Sequence, residues 1–172
     1  MLPELRLLLN TSGSAPSALG PPRDMEPLAG RIALHMAKPP VHAAMRWTHD
    51  LVFETELAGG RGPDIDGDGA SGTSPVQALV LALGGCMATD VVTILTRGRH
   101  DLRGLRLQIV GERADGPPSY FTGFTLDFEV VGQVPDAAIQ RAVDLSRDKY
   151  CSVWHSLRRD IPLDVRFTRL DG

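Results

Sequence analysis

The sequence predicts a single α+β domain, and three observations carry that prediction. Two strand-type runs precede a long, proline-free apolar segment, Val76 to Arg99. A second pair of strand runs leads into a shorter amphipathic helix, and the chain closes on an alternating run from Ile161 to Arg169. The 172 residues, 42% hydrophobic and 23% charged, supply one core and not two. With 18 Lys and Arg against 21 Asp and Glu, the net charge is −3, so no cationic excess exists to neutralise phosphates or an anionic lipid surface. Neither nucleic acid nor membrane is therefore an expected partner, and 5% aromatics argues against base- or sugar-stacking platforms. Two cysteines are too few for a disulfide framework or a four-thiolate zinc site.

At the start, MLPELRLLLNTSGSAPSA imitates a signal peptide, but Glu4 occupies the end that should be positive and Arg6 breaks the apolar run. The expectation is a cytoplasmic protein. Residues 1–42 are rich in Pro, Gly, Ser and Ala and read as a flexible lead-in, or as a start codon placed too early with Met25 and Met36 as alternatives. The domain is expected to span residues 43–172. AMRW and LVFETEL form a hairpin across Thr48, His49 and Asp50. The loop DIDGDGASGTS then leads to Pro75, a proline suited to the first helical turn, with Ser74 before it as cap. Val76 to Arg99 is apolar on all sides and predicts a buried central helix, with Arg97 and Arg99 favourably placed at the negative end of its dipole. LRLQIVGER and FTGFTLDFEVVG are strands, and Phe124, Leu126, Phe128 and Val130 alternate in the second. After Pro135, Ala138, Ala142, Val143 and Leu145 recur at helical spacing in a helix expected to run to Tyr150, and CSVWHSL forms a further short helix.

Chemistry concentrates at the cysteines. Gly84 and Gly85 precede Cys86 inside the long helix, where each costs about 1 kcal/mol relative to alanine. Either their missing side chains let a backbone or ligand approach the Cys86 sulfur, or they mark a close crossing with Cys86 as a small core hydrophobe. Asp90, one turn on, and Arg97 share its face. Cys151 opens a helix in KYCSVWHSL, a position where the dipole and free amides stabilise a thiolate, with Lys149 nearby. His155 is one turn further on, as an ordinary half-exposed side chain, as a thiol/imidazole partner, or with Cys86 and Cys151 in an incomplete three-ligand metal set. The Asp64, Asp66, Asp68, Gly69 series begins like a calcium loop but reaches Pro75 where a bidentate glutamate is required, so it reads as a turn-rich loop. Phosphate-loop, dinucleotide and serine-hydrolase patterns are not matched, and no cofactor is expected.

SPVQALVLALGGCMATDVVTIL, followed by AVDLSRDKYCSV, resembles the OsmC/Ohr family of thiol-dependent peroxidases, and within it the YhfA-like branch. The resemblance runs from about Met45 to Phe167. It implies an antiparallel β-sheet wrapped on two central helices, in an intertwined homodimer whose active sites are built from both chains. It implies that Cys86 is the peroxidatic cysteine, that Cys151 is the resolving cysteine, and that a dithiol reductant restores both thiols. The family's activating arginine follows a Gly-Gly pair, matched here by Gly59, Gly60 and Arg61, with Arg46 as fallback. The family's helix-start glutamate is absent: Val76 stands at its position, beside the neutral Gln77. Glu54, Glu56 or Asp90 are the carboxylates that could replace it. Apolar neighbours by spacing, Leu83, Met87 and Val91, suggest a hydrophobic organic hydroperoxide as substrate. The competing expectation on the same fold is a weakly catalytic or non-catalytic dimer that senses redox state or holds an apolar ligand.

Overall fold

The computed structural model describes residues 38–171, so the expected lead-in up to residue 37, with Met25 and Met36, lies outside the described residues. Seven strands and three helices follow in the order β1 (Ala43–His49), β2 (Val52–Leu57), β3 (Gly60–Arg61), β4 (Ile65–Asp66), α1 (Pro75–Arg97), β5 (Asp101–Arg113), β6 (Phe121–Gln133), α2 (Asp136–Leu145), α3 (Ser152–Ser156) and β7 (Leu163–Leu170). A π-helical turn, Ser146–Tyr150, joins α2 to α3.

The predicted hairpin is β1–β2, paired antiparallel, with Asp50 in the left-handed conformation at its turn. β3 and β4, which the turn-rich composition hid, also pair with β2. The acidic loop holds no glutamate at its twelfth position and instead folds around one side chain. The buried Asp66 carboxylate accepts the Asp68 N–H at 3.1 Å, the Ser71 N–H at 2.8 Å and the Ser71 hydroxyl at 2.9 Å. These bonds hold its pKa down at about 2, Ser71 contributing most.

α1 starts as read: Pro75 is its first residue, and the Ser74 hydroxyl accepts the Gln77 N–H at 3.2 Å. The Gln77 carboxamide oxygen in turn accepts the Ser74 N–H at 2.9 Å, completing a capping box. Leu83, Met87, Val91 and Leu95 recur every fourth residue on its inner face and are fully buried. They meet Phe124, Leu126, Phe128 and Val130 of β6, whose alternation turns each inward, together with Ile139, Ala142 and Val143 of α2.

The expectation of a helix buried on all sides is corrected. One chain covers only the inner face of α1, and Leu81 on the other side is 62% exposed. Its length and hydropathy would suffice to cross a membrane, yet the core of this domain is assembled on its inner face. The second sheet is mixed and not wholly antiparallel. β5 and β6 are antiparallel, whereas β7 runs parallel to β6, from Phe124 opposite Leu163 to Val131 opposite Leu170. A parallel neighbour requires a crossover, and α2 and α3 supply it.

Candidate active site

The crossover brings Cys151 back to α1. The Cys86 sulfur, the Cys151 sulfur and a carboxylate oxygen of Asp90 all lie within 4.8 Å of one another, and both thiols are free. Their surroundings differ: Cys86 is half-buried, while Cys151 has no exposed surface. Two turns of backbone hold the arrangement. The π-helical turn ends with the Cys151 N–H donating to the Ser146 carbonyl at 2.8 Å, and Cys151 then caps α3, its sulfur accepting the Trp154 N–H at 3.4 Å. A continuous helix to Tyr150, as the spacing predicts, would turn the cysteine to another angle; the wide turn intervenes instead.

The fully buried Ser146 hydroxyl donates to Asp90 Oδ2 at 2.8 Å, tying the crossover to α1 across 56 positions. Ser146 was not singled out from the sequence. Its signal was there: it continues the series Ile139, Ala142, Val143 on the buried side of α2, one polar residue on an apolar stripe.

Several readings of these residues are corrected. Cys151 does open a helix, but the expected stabilised thiolate is overruled by its surroundings. Burial is the largest effect and pushes the thiol up to about 12, the Trp154 amide opposes it, and the neighbouring Cys86 and Asp90 add to the rise. Lys149 lies 5.3 Å over the Tyr150 ring. His155 is exposed and adds to the field on Asp148, so it forms neither a thiol/imidazole pair nor the third member of a metal set. Asp90 takes that third place, and two sulfurs with one carboxylate remain short of the four donors of a structural zinc site.

The two helical glycines have different surroundings. A Cβ on Gly84 would stand 3.3 Å from Leu107 Cδ2 and 3.6 Å from Ile109 Cγ2, so Gly84 serves the close approach of β5, whereas Gly85 meets nothing within 4 Å. Leu83, Met87 and Val91 are fully buried core residues and do not line an open cleft at Cys86.

Arg61 sits on β3, outside the thiol cluster. It donates to both oxygens of Asp64 at 3.0 Å and lies 3.8 Å from Glu54, which also holds Arg46. Arg46, Arg61 and Glu54 line a hollow of about 340 Å³ with Met45, Thr55 and Glu56. Of the carboxylates proposed to replace the absent glutamate, Glu54 contacts Arg61, Asp90 belongs to the thiol cluster, and Asp64 adds a partner not foreseen. Val76 is half-buried and Gln77 is spent on the helix cap.

The profile of the family described as OsmC-like protein matches residues 67–166, which hold the whole of the thiol cluster. The chain belongs to the OsmC family. Protein YhfA of Escherichia coli K12 is 42% identical over 115 residues, covering 66% of this chain and 86% of that one. Among solved structures, the OsmC-like protein from Mycoplasma pneumoniae superposes with a TM-score of 0.68 at 15% identity, covering 78% of this chain and 99% of its own. The organic hydroperoxide resistance protein OhrB of Bacillus subtilis superposes at 0.53 with 15% identity, covering 78% and 100%. At such identities these structures establish the OsmC fold. Among the solved structures that share this fold, some carry the name organic hydroperoxide resistance protein.

Proposed function

We propose that the chain is a thiol-dependent peroxidase that reduces organic hydroperoxides as a cytoplasmic homodimer. The observation that carries this reading is the convergence of two free cysteine sulfurs with unequal access to solvent. Cys86 is the sulfur a peroxide can reach, and Cys151 is held behind it. In the reaction the Cys86 thiolate attacks one peroxide oxygen, the O–O bond breaks, and the alcohol leaves with a proton. Cys86 is then a sulfenic acid, and Cys151 condenses with it to a disulfide with loss of water. A dithiol reductant returns both thiols by exchange, and a reducing cytoplasm supplies it.

Activation falls to Arg61, oriented by Asp64 and Glu54 in place of the family's helix-start carboxylate. Within one chain Arg61 interacts with Asp64 and Glu54 and Cys151 with Cys86 and Asp90, so in this reading Arg61 serves Cys86 across the dimer interface. Unpartnered apolar surface supports such a dimer: Leu81 and Val92 on α1, and Met45, Trp47, Leu51 and Leu57 on the β1–β2 hairpin, are all exposed in the single chain.

The test is rapid mixing of reduced protein with cumene hydroperoxide, followed by intact mass and non-reducing peptide mapping. Stoichiometric peroxide loss with a Cys86–Cys151 disulfide is expected. Consumption no faster than by free cysteine would leave only the redox-sensing or ligand-binding alternative, and unchanged consumption by Cys86→Ser would remove that residue from its role.

A further inference from the structure

Asp90 has no part in the reaction as described so far, although it is half-buried beside the thiol pair. Its carboxylate is within 4.8 Å of both sulfurs, a distance that one water or a modest rotation closes to hydrogen-bonding contact. Ser146 fixes one oxygen, Oδ2, at 2.8 Å, and the same residue's carbonyl anchors the Cys151 N–H at 2.8 Å. Ser146 therefore registers the carboxylate against the cysteine through two bonds. On its other side Asp90 borders a groove of about 550 Å³, lined also by Arg97, His100, Arg141 and Tyr150.

We propose that Asp90 is the general base of the resolving step, taking the proton from the Cys151 thiol as its sulfur attacks Cys86, with Ser146 as the positioning residue. The proposal rests on the peroxidase reading for the identity of the oxidant, an organic hydroperoxide, but the base chemistry is common to any leaving group on Cys86. In the balanced step, the Cys151 sulfur supplies the electron pair of the new S–S bond. The S–O bond of the Cys86 sulfenic acid breaks with its pair going to oxygen. The Cys151 proton moves to Asp90 and on to the departing hydroxide, which leaves as water. Cys151 is oxidised and the Cys86 sulfur reduced, leaving one disulfide.

The need for a base follows from burial. With its thiol pushed up to about 12, Cys151 has a thiolate fraction of only about 10⁻⁵ at pH 7. The titratable and charged groups around the pair are Cys86 and Arg97 on α1, Arg141 on α2, Tyr150 on the π-helical turn and His100 after α1, while β5 presents apolar Leu107 and Ile109 to the helix. Of the carboxylate and imidazole groups that line the groove, Asp90 and His100, only Asp90 belongs to the cluster that converges within 4.8 Å on the sulfurs.

The reduced full-length protein is reacted with one equivalent of 5,5′-dithiobis(2-nitrobenzoate), which loads a chromophoric leaving group on Cys86 without any peroxide. The second release of thionitrobenzoate then reports attack by Cys151. For Asp90→Asn the expected result is a second phase slowed by about 10²-fold or more at pH 7 and rising in proportion to hydroxide, while wild type depends on hydroxide much less steeply. Ser146→Ala keeps the carboxylate and is expected to slow the phase several-fold with the wild-type pH profile.

A purely electrostatic role predicts the opposite sign, because removing a negative charge beside Cys151 eases thiolate formation. An Asp90→Asn phase as fast as wild type or faster, or one with the same pH profile, overturns the proposal. Circular dichroism of each variant confirms folding, and Asp90→Glu, which restores a carboxylate, is expected to recover part of the rate. Failure of peroxide consumption leaves this test standing, and failure of this test leaves the peroxidase reading standing.

Discussion

The accessibility of Cys151 offers a quantitative check on the site. The perturbation is alkylation of the reduced, folded protein by iodoacetamide at pH 8. An ordinary thiol titrating near about 8.5 is roughly one quarter thiolate at that pH, whereas one pushed up to about 12 is about 10⁻⁴ thiolate, a deficit of about three orders of magnitude. The more basic thiolate is also the better nucleophile, with a Brønsted slope of about 0.4–0.5, which recovers roughly half of the deficit in logarithmic units. About 10²-fold slower labelling than in the urea-unfolded chain is therefore expected, before the complete burial of the side chain is added. Peptide mass spectrometry after timed quenching reads the two sites separately, and Cys86, half-buried, is expected to be labelled first.

The same group makes stability pH-dependent. Its folded pKa lies above the unfolded value, so its contribution is complete below about pH 8.5 and declines as pH rises toward 12, by at most about 1.4 kcal/mol per pH unit. Cys151→Ala is expected to lack that decline. Labelling of Cys151 within threefold of the unfolded rate, or an equal alkaline decline in Cys151→Ala, would refute the reasoning.

Three further outcomes are expected. Gly84→Val drives two methyls against Leu107 and Ile109, and overpacking of about 1–3 kcal/mol outweighs a helix-propensity gain of a few tenths, so urea unfolding should show a net loss of about 1–2 kcal/mol. Asp66→Asn loses a carboxylate whose folded pKa is depressed. Wild type should therefore be the more stable at pH 6, and the difference in Tm should shrink as pH falls from about 4 to about 2, where the native carboxylate protonates. Leu81→Glu introduces charge on the uncovered face of α1, and sedimentation equilibrium should show a lower mass than wild type; an unchanged dimer would move the interface elsewhere.

Much of the fold is legible in local pattern. Alternation in Phe124, Leu126, Phe128 and Val130, and the Ser74–Pro75 start of α1, are encoded within a few residues, because side-chain period and capping are properties of adjacent backbone. The cysteine motifs, too, stand out by their neighbours in the chain. Less legible were β3 and β4, two-residue strands that exist only because β2 offers an edge. The π-helical turn at Ser146–Tyr150 escaped for a similar reason: its residues suit an ordinary helix, and the angle at which Cys151 must meet α1 is set by the rest of the domain.

The sequence alone determined the class of the domain, the order of its main elements, the two thiols and the likeness to the OsmC family. Tertiary structure decided how those thiols behave. Whether Cys151 is a stabilised thiolate or a protonated thiol depends on how much solvent the fold removes, and burial outweighs the helix-opening amide. Whether Asp90 is a surface charge or a member of the site depends on a hydroxyl 56 positions away. Both are contacts between segments that meet only after the crossover has closed, and no local periodicity carries information about them.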